Sequence, residues 1–395
     1  MPITISNVAM STAIVLAVLA AALLVSLRRA EHTALFPPSV SEELKGLAVL
    51  KVVFMHISIL LVGNAQFLYP LSMPLGIGLD IFLCLSGYGL TVSMLKKPLP
   101  ILKSYQHRLF KIFIPLWLAL LLLFALDAWV LRVDYPLSYI LQSFVGWFPT
   151  AHAFGDVDSP LWSITWLLMF CFLLPLLFMP NRLWLTALLL VVIANAFAMA
   201  DPLHLQANWL HRLHGNAFSM GIVLAWLLDD TKGKNRLLEN LIWFRNKSGG
   251  IGRHLVLILS AGLAAYMLSS GEADDWPRLA PVLSSLHFDP TIFISQTASL
   301  ITVLMLVIFF VFKKFDCAFL YLFGLYSYGV YLLHWPLIAR YDVLFQYLPA
   351  WLAVLLWLPI LLGLSWCLQK ITLVVSALIS DKHQQDHSKI SRVFE

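Results

Sequence analysis

The sequence predicts an all-α fold, a polytopic membrane helix bundle of about eleven transmembrane helices. Of its 395 residues, 60% are hydrophobic and only 12% are charged, and the mean hydropathy is +0.84. A soluble domain of ordinary composition carries about 25% charged residues. Apolar runs of the length that a bilayer requires also recur along the whole chain, and basic residues collect in alternate connecting segments.

The apolar runs number eleven, each close to the roughly 20 residues that a spanning helix needs. They lie near residues 8–26, 46–68, 74–95, 112–131, 160–180, 183–200, 213–228, 254–270, 292–312, 317–338 and 347–369. The seventh is the weakest, because His214, Gly215 and Asn216 interrupt it. Prolines fall near run ends or punctuate runs, where neighbouring helices can satisfy the freed backbone groups.

The first run has no basic residue before it, whereas Arg28 and Arg29 follow it directly. A secretory signal has the opposite order, with a basic segment ahead of the apolar one. We therefore expect a retained helix with its N-terminus outside. An odd number of spans then places the C-terminus in the cytoplasm.

Eleven spans in that orientation place 22 of the 26 Lys and Arg residues on the inner side. The outer four are Arg132, Arg212, Arg278 and Arg340. Such an excess is typical of cytoplasmic loops. The net charge of +5 therefore indicates membrane topology and lipid headgroups as partners, with no nucleic acid.

Three regions are predicted. Residues 1–40 form an N-terminal extra helix and linker, residues 41–375 form the membrane domain, and residues 376–395 form a polar cytoplasmic tail that we expect to be disordered from Asp381. The four cysteines, Cys84, Cys171, Cys317 and Cys367, lie in apolar runs and are expected to be buried packing residues.

Four ionisable residues inside predicted spans stand out, and each is a functional-site hypothesis because its burial is costly. His56 falls near mid-depth and suits proton transfer, although a core histidine bonded to a carbonyl is an equal alternative. Asp80 is either functional or a structural contact to a helix end. His334 is either functional or part of an interfacial aromatic belt. Lys51 lies closer to the inner surface, where its side chain can snorkel.

Arg108 and Lys111 lie at the predicted cytoplasmic entrance of the fourth span and share a helix face. The general interpretation is positive-inside topology. The more specific one is a phosphate clamp, since arginine offers bidentate contacts and lysine a point charge.

Five segments in order resemble the membrane-bound acyltransferase family 3. They read LKGLAVL followed by a histidine, GLDIFLCLSGYGL, QHRLFKIFIPLW, SPLWSITWLLMFCFLLPLL and FGLYSYGVYLLHWPLI. The resemblance covers roughly residues 41–370 and implies a ten-helix acyltransferase core, with the first helix as an addition. Members are largely bacterial O-acyltransferases of surface and secreted polysaccharides.

The resemblance implies roles for individual residues. The family's near-essential first-span histidine corresponds to His56, and its Arg-x-x-Arg pair corresponds to Arg108 and Lys111, where lysine replaces the second arginine. The remaining motif positions are Phe82, Ser86 and Gly87, preceded by Asp80, and Tyr331, His334 and Pro336. Many members carry carboxylates after the Leu-Trp-Ser motif, where this chain has Leu167 and Leu168.

These residues together predict an inner-membrane O-acetyltransferase. Acyl-CoA, as co-substrate, binds Arg108 and Lys111 with Ser86 nearby, and the acceptor is a carbohydrate or lipid-linked carbohydrate. His56 acts as base or acyl carrier, and Asp80 orients His56 or His334. No cofactor or metal is predicted. The alternative is a proton-coupled transporter or flippase, for which the chain lacks the internal repeats that many transporters have.

Overall fold

A computed structural model of the chain describes residues 3–30, 32, 34–64, 66–73, 76–97, 100–148, 161–201, 212–228, 236–247, 250–341 and 343–391. Within these residues the fold is a bundle of α-helices joined by one short β-ribbon. The architecture confirms a polytopic helical bundle.

The helices of the first half are α1 (Val8–Val25), α2 (Pro38–Met55), α3 (Ile77–Lys96), α4 (Ile101–Leu126), α5 (Leu137–Phe144), α6 (Trp162–Leu177), α7 (Leu183–Ala200) and α8 (Ala217–Leu228). Those of the second half are α9 (Arg236–Lys247), α10 (Gly250–Ser269), α11 (Leu279–Ser285), α12 (Pro290–Phe312), α13 (Ala318–Leu325), α14 (Ser327–Arg340), α15 (Val343–Tyr347) and α16 (Ala350–Ser391). Two π-helical turns, His56–Val62 and Asp127–Leu131, extend α2 and α4, and Ala273–Asp275 form a 3₁₀ turn.

Seven helices in the described part of the chain are long and apolar enough to cross a membrane. They are Val8–Val25, Ile77–Lys96, Ile101–Leu131, Leu183–Ala200, Gly252–Ser269, Pro290–Phe312 and Ala350–Ile379, with Trp162–Leu177 as a shorter apolar helix. The other predicted spans are also helical, but α2 carries four charged residues, α8 is short, and the tenth run divides at Tyr326 into α13 and α14. The number of eleven spans therefore stays a prediction.

Two local expectations differ from the structure. The last helix continues to Ser391 instead of giving way to a disordered tail at Asp381, since neither glycine nor proline interrupts the chain beyond Gly363. Cys84, Cys171 and Cys317 are buried as expected, but Cys367 is exposed on the surface of α16.

Helix α2 crosses α13 at very short range because both helices carry glycine at the crossing. A Cβ atom built on Gly46 would lie 1.9 Å from the carbonyl oxygen of Leu320, and one on Gly324 would lie 1.8 Å from that of Glu42. Small residues at a crossing allow two backbones to approach in a membrane. This contact sets the position of α14, which follows α13 directly.

A two-stranded antiparallel ribbon, absent from the sequence-based prediction, links the N-terminal helix to the rest of the bundle. Strand β1 (Leu27–Arg29) pairs with β2 (Phe315–Cys317), with Arg28 opposite Asp316. Each strand is only three residues long, too short for a pattern of alternating polarity to reveal it.

Two basic residues counted toward inner-side topology are buried beside this ribbon. Lys313 forms an ion pair with Glu43, with Nζ and Oε2 2.8 Å apart and both side chains almost fully buried. The Arg245 guanidinium donates to the carbonyl oxygens of His32 and Ala34, at 2.6 and 2.9 Å. Lys313 thus holds α2 to the end of α12, and Arg245 holds the linker after α1 to α9, in addition to any effect on membrane orientation.

Candidate active site

Two histidines from distant parts of the chain meet inside the bundle. His56 is the first residue of the π-helical turn after α2, and His334 lies on α14 and is fully buried. The Nδ1 atom of His56 lies 2.8 Å from Nε2 of His334. Their rings lie nearly parallel, with an interplanar angle of 13°. The structure thus brings together two of the three predicted catalytic residues.

The contacts of His334 determine how protons are arranged in this pair. Its Nδ1 lies 2.8 Å from the carbonyl oxygen of Tyr331 and 3.2 Å from that of Val330. Carbonyl oxygens only accept hydrogen bonds, so Nδ1 carries the proton in neutral His334 and Nε2 is the acceptor. His56 therefore donates from Nδ1, which leaves the lone pair of its own Nε2 for a substrate.

Aromatic and hydroxyl groups surround the histidine pair. The Trp335 ring meets that of His56 edge-on, with the centroids 5.5 Å apart. The Tyr331 hydroxyl lies 2.7 Å from that of Ser163, and its ring packs near Phe82 of α3. The motif residues Tyr331 and Phe82 therefore lie in the same region as the two histidines.

Lys51 does not snorkel to the inner surface. Its side chain is buried in the bundle, and Nζ donates a hydrogen bond to the carbonyl oxygen of Met73, before α3. The lysine therefore fixes the segment between the π-helical turn and α3 against α2.

Asp80 does not contact either of the histidines that we expected it to orient. Its carboxylate is fully buried and accepts a hydrogen bond from the Ser299 hydroxyl on α12. Its other oxygen, Oδ1, lies 2.8 Å from Nδ1 of His214, a residue just before α8. Asp80 thus joins α3, α8 and α12.

The sequence did not predict His214 as the partner of Asp80. It was visible only as a polar interruption of the seventh apolar run, with nothing to indicate which carboxylate it would meet. Its ring centroid lies 5.9 Å from that of Trp162, the residue next to Ser163. The Leu-Trp-Ser segment therefore lies between the Asp80–His214 pair and the histidine pair.

The predicted donor-binding residues lie on α3 and α4. Lys111 is exposed, and Arg108 is partly buried with its Nε 3.4 Å from the Ser104 hydroxyl. Ser86 is partly buried one helical turn beyond Phe82, toward the predicted inner side. Tyr328 of α14 connects the two regions, since its hydroxyl donates to the carbonyl oxygen of Ile112 at 3.0 Å.

A second buried carboxylate, Asp127, holds the other end of α14. Arg340 contacts it with Nη2 at 2.8 Å and Nε at 3.1 Å. The hydroxyl groups of Tyr341 and Tyr135 also donate hydrogen bonds to the Asp127 carboxylate. Burial, together with the neighbouring Asp127 carboxylate, raises the pKa of Tyr341, so this phenol stays protonated as a donor. The cluster connects α14 to the end of α4.

Within the described residues, no three His, Cys, Asp or Glu side chains lie close enough together to hold a metal ion. The side chains around the histidine pair offer imidazole, hydroxyl and aromatic groups.

The fold and this arrangement define a class, a helical membrane protein with a hydrogen-bonded histidine pair inside its bundle. The family model of the acyltransferase domain, acyltransferase 3, matches residues 43–370, most of the chain. The protein belongs to this family of membrane acyltransferases. No curated protein and no solved structure matches the chain significantly.

Proposed function

We propose that the protein is a membrane O-acyltransferase of the bacterial inner membrane. It transfers an acetyl group from acetyl-CoA to a hydroxyl of a surface or secreted polysaccharide, or of its lipid-linked precursor. Membership of the family supports acyl transfer in general. The donor, the acetyl group and the acceptor are part of this proposal.

The observation that carries this proposal is the Nε2 of His56, which has no hydrogen-bond partner among the residues that the structure describes. Because His334 accepts the Nδ1 proton of His56, the His56 lone pair is held on Nε2 in one ring orientation. A neutral imidazole of fixed tautomer is suited to general base catalysis.

In the proposed reaction, Nε2 of His56 accepts the proton of the acceptor hydroxyl as the oxygen attacks the thioester carbonyl. The resulting tetrahedral intermediate breaks its carbon–sulfur bond, and the CoA thiolate leaves with the proton returned by His56. Alternatively, Nε2 attacks the thioester carbonyl, the carbon–sulfur bond breaks and CoA thiolate leaves, which gives an acetyl-imidazolium on His56. The acceptor hydroxyl then takes the acetyl group, its proton passes through Nε2 to the thiolate, and without acceptor the acetylated His56 can be trapped.

The donor would enter from the predicted inner side. Arg108 and Lys111 would hold the phosphates of acetyl-CoA by charge-assisted hydrogen bonds. From Arg108 to Ile112, and then from Tyr328 to His334, the helices rise by roughly 15 Å at about 1.5 Å per residue. An extended pantetheine arm can cover such a path, and we propose that Ser86 and Tyr331 line it.

The test uses purified protein with radiolabelled acetyl-CoA and candidate acceptor polysaccharides or lipid-linked glycans. We expect acceptor-dependent release of CoA and labelled product. His56→Ala should lower the rate by about 10²–10⁴-fold, the usual contribution of a positioned base, at unchanged protein abundance. His287→Asn, a change in an exposed histidine with a positive φ of 63°, is the matched control.

An active His56→Ala variant would remove this residue from the mechanism. Movement of solute or glycolipid across proteoliposomes without consumption of acetyl-CoA would instead favour the transporter alternative.

A further inference from the structure

The N-terminal helix α1 precedes the part of the chain that matches the acyltransferase family, which begins at residue 43. Nevertheless it contacts the segment that carries His56. Two hydrogen bonds from residues 3–12 reach residues 61–68, and both involve backbone groups of the latter segment.

The first of these bonds is made at the end of the π-helical turn. The backbone N–H of Ile3 donates to the carbonyl oxygen of Leu61 at 2.9 Å. Carbonyl groups in the last turn of a helix lack partners within that helix, and in a membrane interior such groups are costly. The N-terminal segment therefore completes the hydrogen bonding of the turn that begins at His56.

The second bond holds the chain just after this turn. The Thr12 hydroxyl accepts a hydrogen bond of 3.0 Å from the N–H of Leu68, a buried residue with a positive φ of 60°. The segment is also fixed to the turn itself, because the buried Ser58 hydroxyl donates to the carbonyl oxygen of Asn64 at 2.8 Å. Thr12 thus acts on the segment that ends the π-helical turn.

A π-helical turn is rare and often lies at a functional site, because it displaces side chains from the regular helical path. Here its first residue is His56, whose ring must face His334. The ribbon between β1 and β2 fixes the opposite end of α1 to the start of α13.

We propose that α1 and the residues before it are a positioning element of the active site, with Thr12 and the Ile3 backbone as the contact points. They hold the π-helical turn, and hence His56, in the orientation that acyl transfer requires. The inference rests on the proposed function of His56.

The test compares two pairs of variants in the full-length protein. Thr12→Val removes the hydroxyl at nearly constant volume, whereas Thr12→Ser keeps it. Ile3→Pro removes the N–H, whereas Ile3→Ala keeps it. We expect Thr12→Val and Ile3→Pro to lower kcat about tenfold or more with an unchanged KM for acetyl-CoA, as misplacement of a catalytic group does.

The control variants Thr12→Ser and Ile3→Ala should retain most of the wild-type kcat. Amide hydrogen exchange, whose measurement requires no acceptor substrate, should accelerate in peptides covering residues 56–68. We expect this acceleration in Thr12→Val and Ile3→Pro and not in the two control variants. Wild-type kcat and exchange in Thr12→Val and Ile3→Pro would overturn the inference. Loss of folded protein in place of loss of kcat would do so as well.

The two proposals fail in different ways. If His56→Ala remains active, the proposed function is wrong whatever the N-terminal variants do. If His56→Ala is inactive while the N-terminal variants resemble wild type, only the role of α1 is wrong.

Discussion

His56 and His334 are chemically identical side chains with different tasks, because their surroundings differ. Both nitrogens of His334 are engaged, one with backbone carbonyls of its own helix and one with His56. Of the pair, His56 alone offers a nitrogen to a substrate in the described structure. In the proposed mechanism His334 is therefore a positioning residue, which selects the tautomer and orientation of its partner.

Replacement of His334 should reveal which of its nitrogens matters. The amide oxygen of glutamine can take the place of Nε2 and accept the His56 proton, whereas the shorter asparagine side chain lies nearer to Nδ1. We expect His334→Gln to retain at least tenfold more acetyl transfer than His334→Asn or His334→Leu, within the range of general base effects. Equal activity of all three variants would contradict a positioning role.

Asp80 is an example of a residue whose functional interpretation the structure changes. Its carboxylate accepts hydrogen bonds from two buried donors on other elements, His214 and Ser299. These contacts between separate helices indicate that Asp80 stabilises the bundle.

Asp80→Leu should therefore reduce stability, by about 1–3 kcal/mol for each buried donor left without a partner. Ser299→Ala, which removes one donor and leaves the carboxylate paired with His214, should reduce it less. Thermal unfolding in detergent measures both changes. An inactive Asp80→Leu variant with a wild-type unfolding midpoint would restore the catalytic interpretation.

At the scale of helices, the apolar runs predicted where helices lie but not how their ends are built. The run at 46–68 reads as continuous apolar sequence through HISILLV, and no residue type there predicts a π-helical turn. The division at Tyr326 and the three-residue strands were equally invisible, because all depend on contacts with distant segments. His56 and His334 were predictable as costly residues in lipid, whereas the partners of Asp80 were not.

The crossing of α2 and α13 depends on its glycines. Gly324→Ala would place a methyl group against the Glu42 carbonyl oxygen, so we expect a loss of about 1–3 kcal/mol from overpacking. Gly363→Ala is the matched control, because nothing lies within 4 Å of its added Cβ. Thermal unfolding in detergent should give the control Gly363→Ala a midpoint near or slightly above that of the wild type. If Gly324→Ala had the same midpoint as this control, the helix crossing would be able to accommodate the methyl group, and the prediction would be wrong.

For the whole molecule, the distribution of basic residues predicts an N-terminus outside and a C-terminus inside. Three of the counted cations, Lys51, Arg245 and Lys313, are also buried in structural contacts. Most of the asymmetry remains when they are left out.

The orientation can be tested by cysteine labelling in a Cys367→Ala background, because the other three native cysteines are buried. Ser6→Cys should react with a membrane-impermeant maleimide in cells whose outer membrane is permeabilised and whose inner membrane is intact. Ser388→Cys should react only after the inner membrane is permeabilised. The reverse pattern would invert the topology and move the proposed donor entrance to the other side.

The buried ion pair of Glu43 and Lys313 also imposes an order on biosynthesis. Its partners are 270 residues apart, so at roughly 5–20 residues per second the ribosome needs roughly 15–50 s after Glu43 to deliver Lys313. His334 follows later still, 278 residues after His56. During this interval α2 must wait in the membrane or at the translocon with an unpaired carboxyl group. The histidine pair is therefore completed near the end of synthesis, and a nascent chain cannot have a finished site before nearly all of its helices have been inserted.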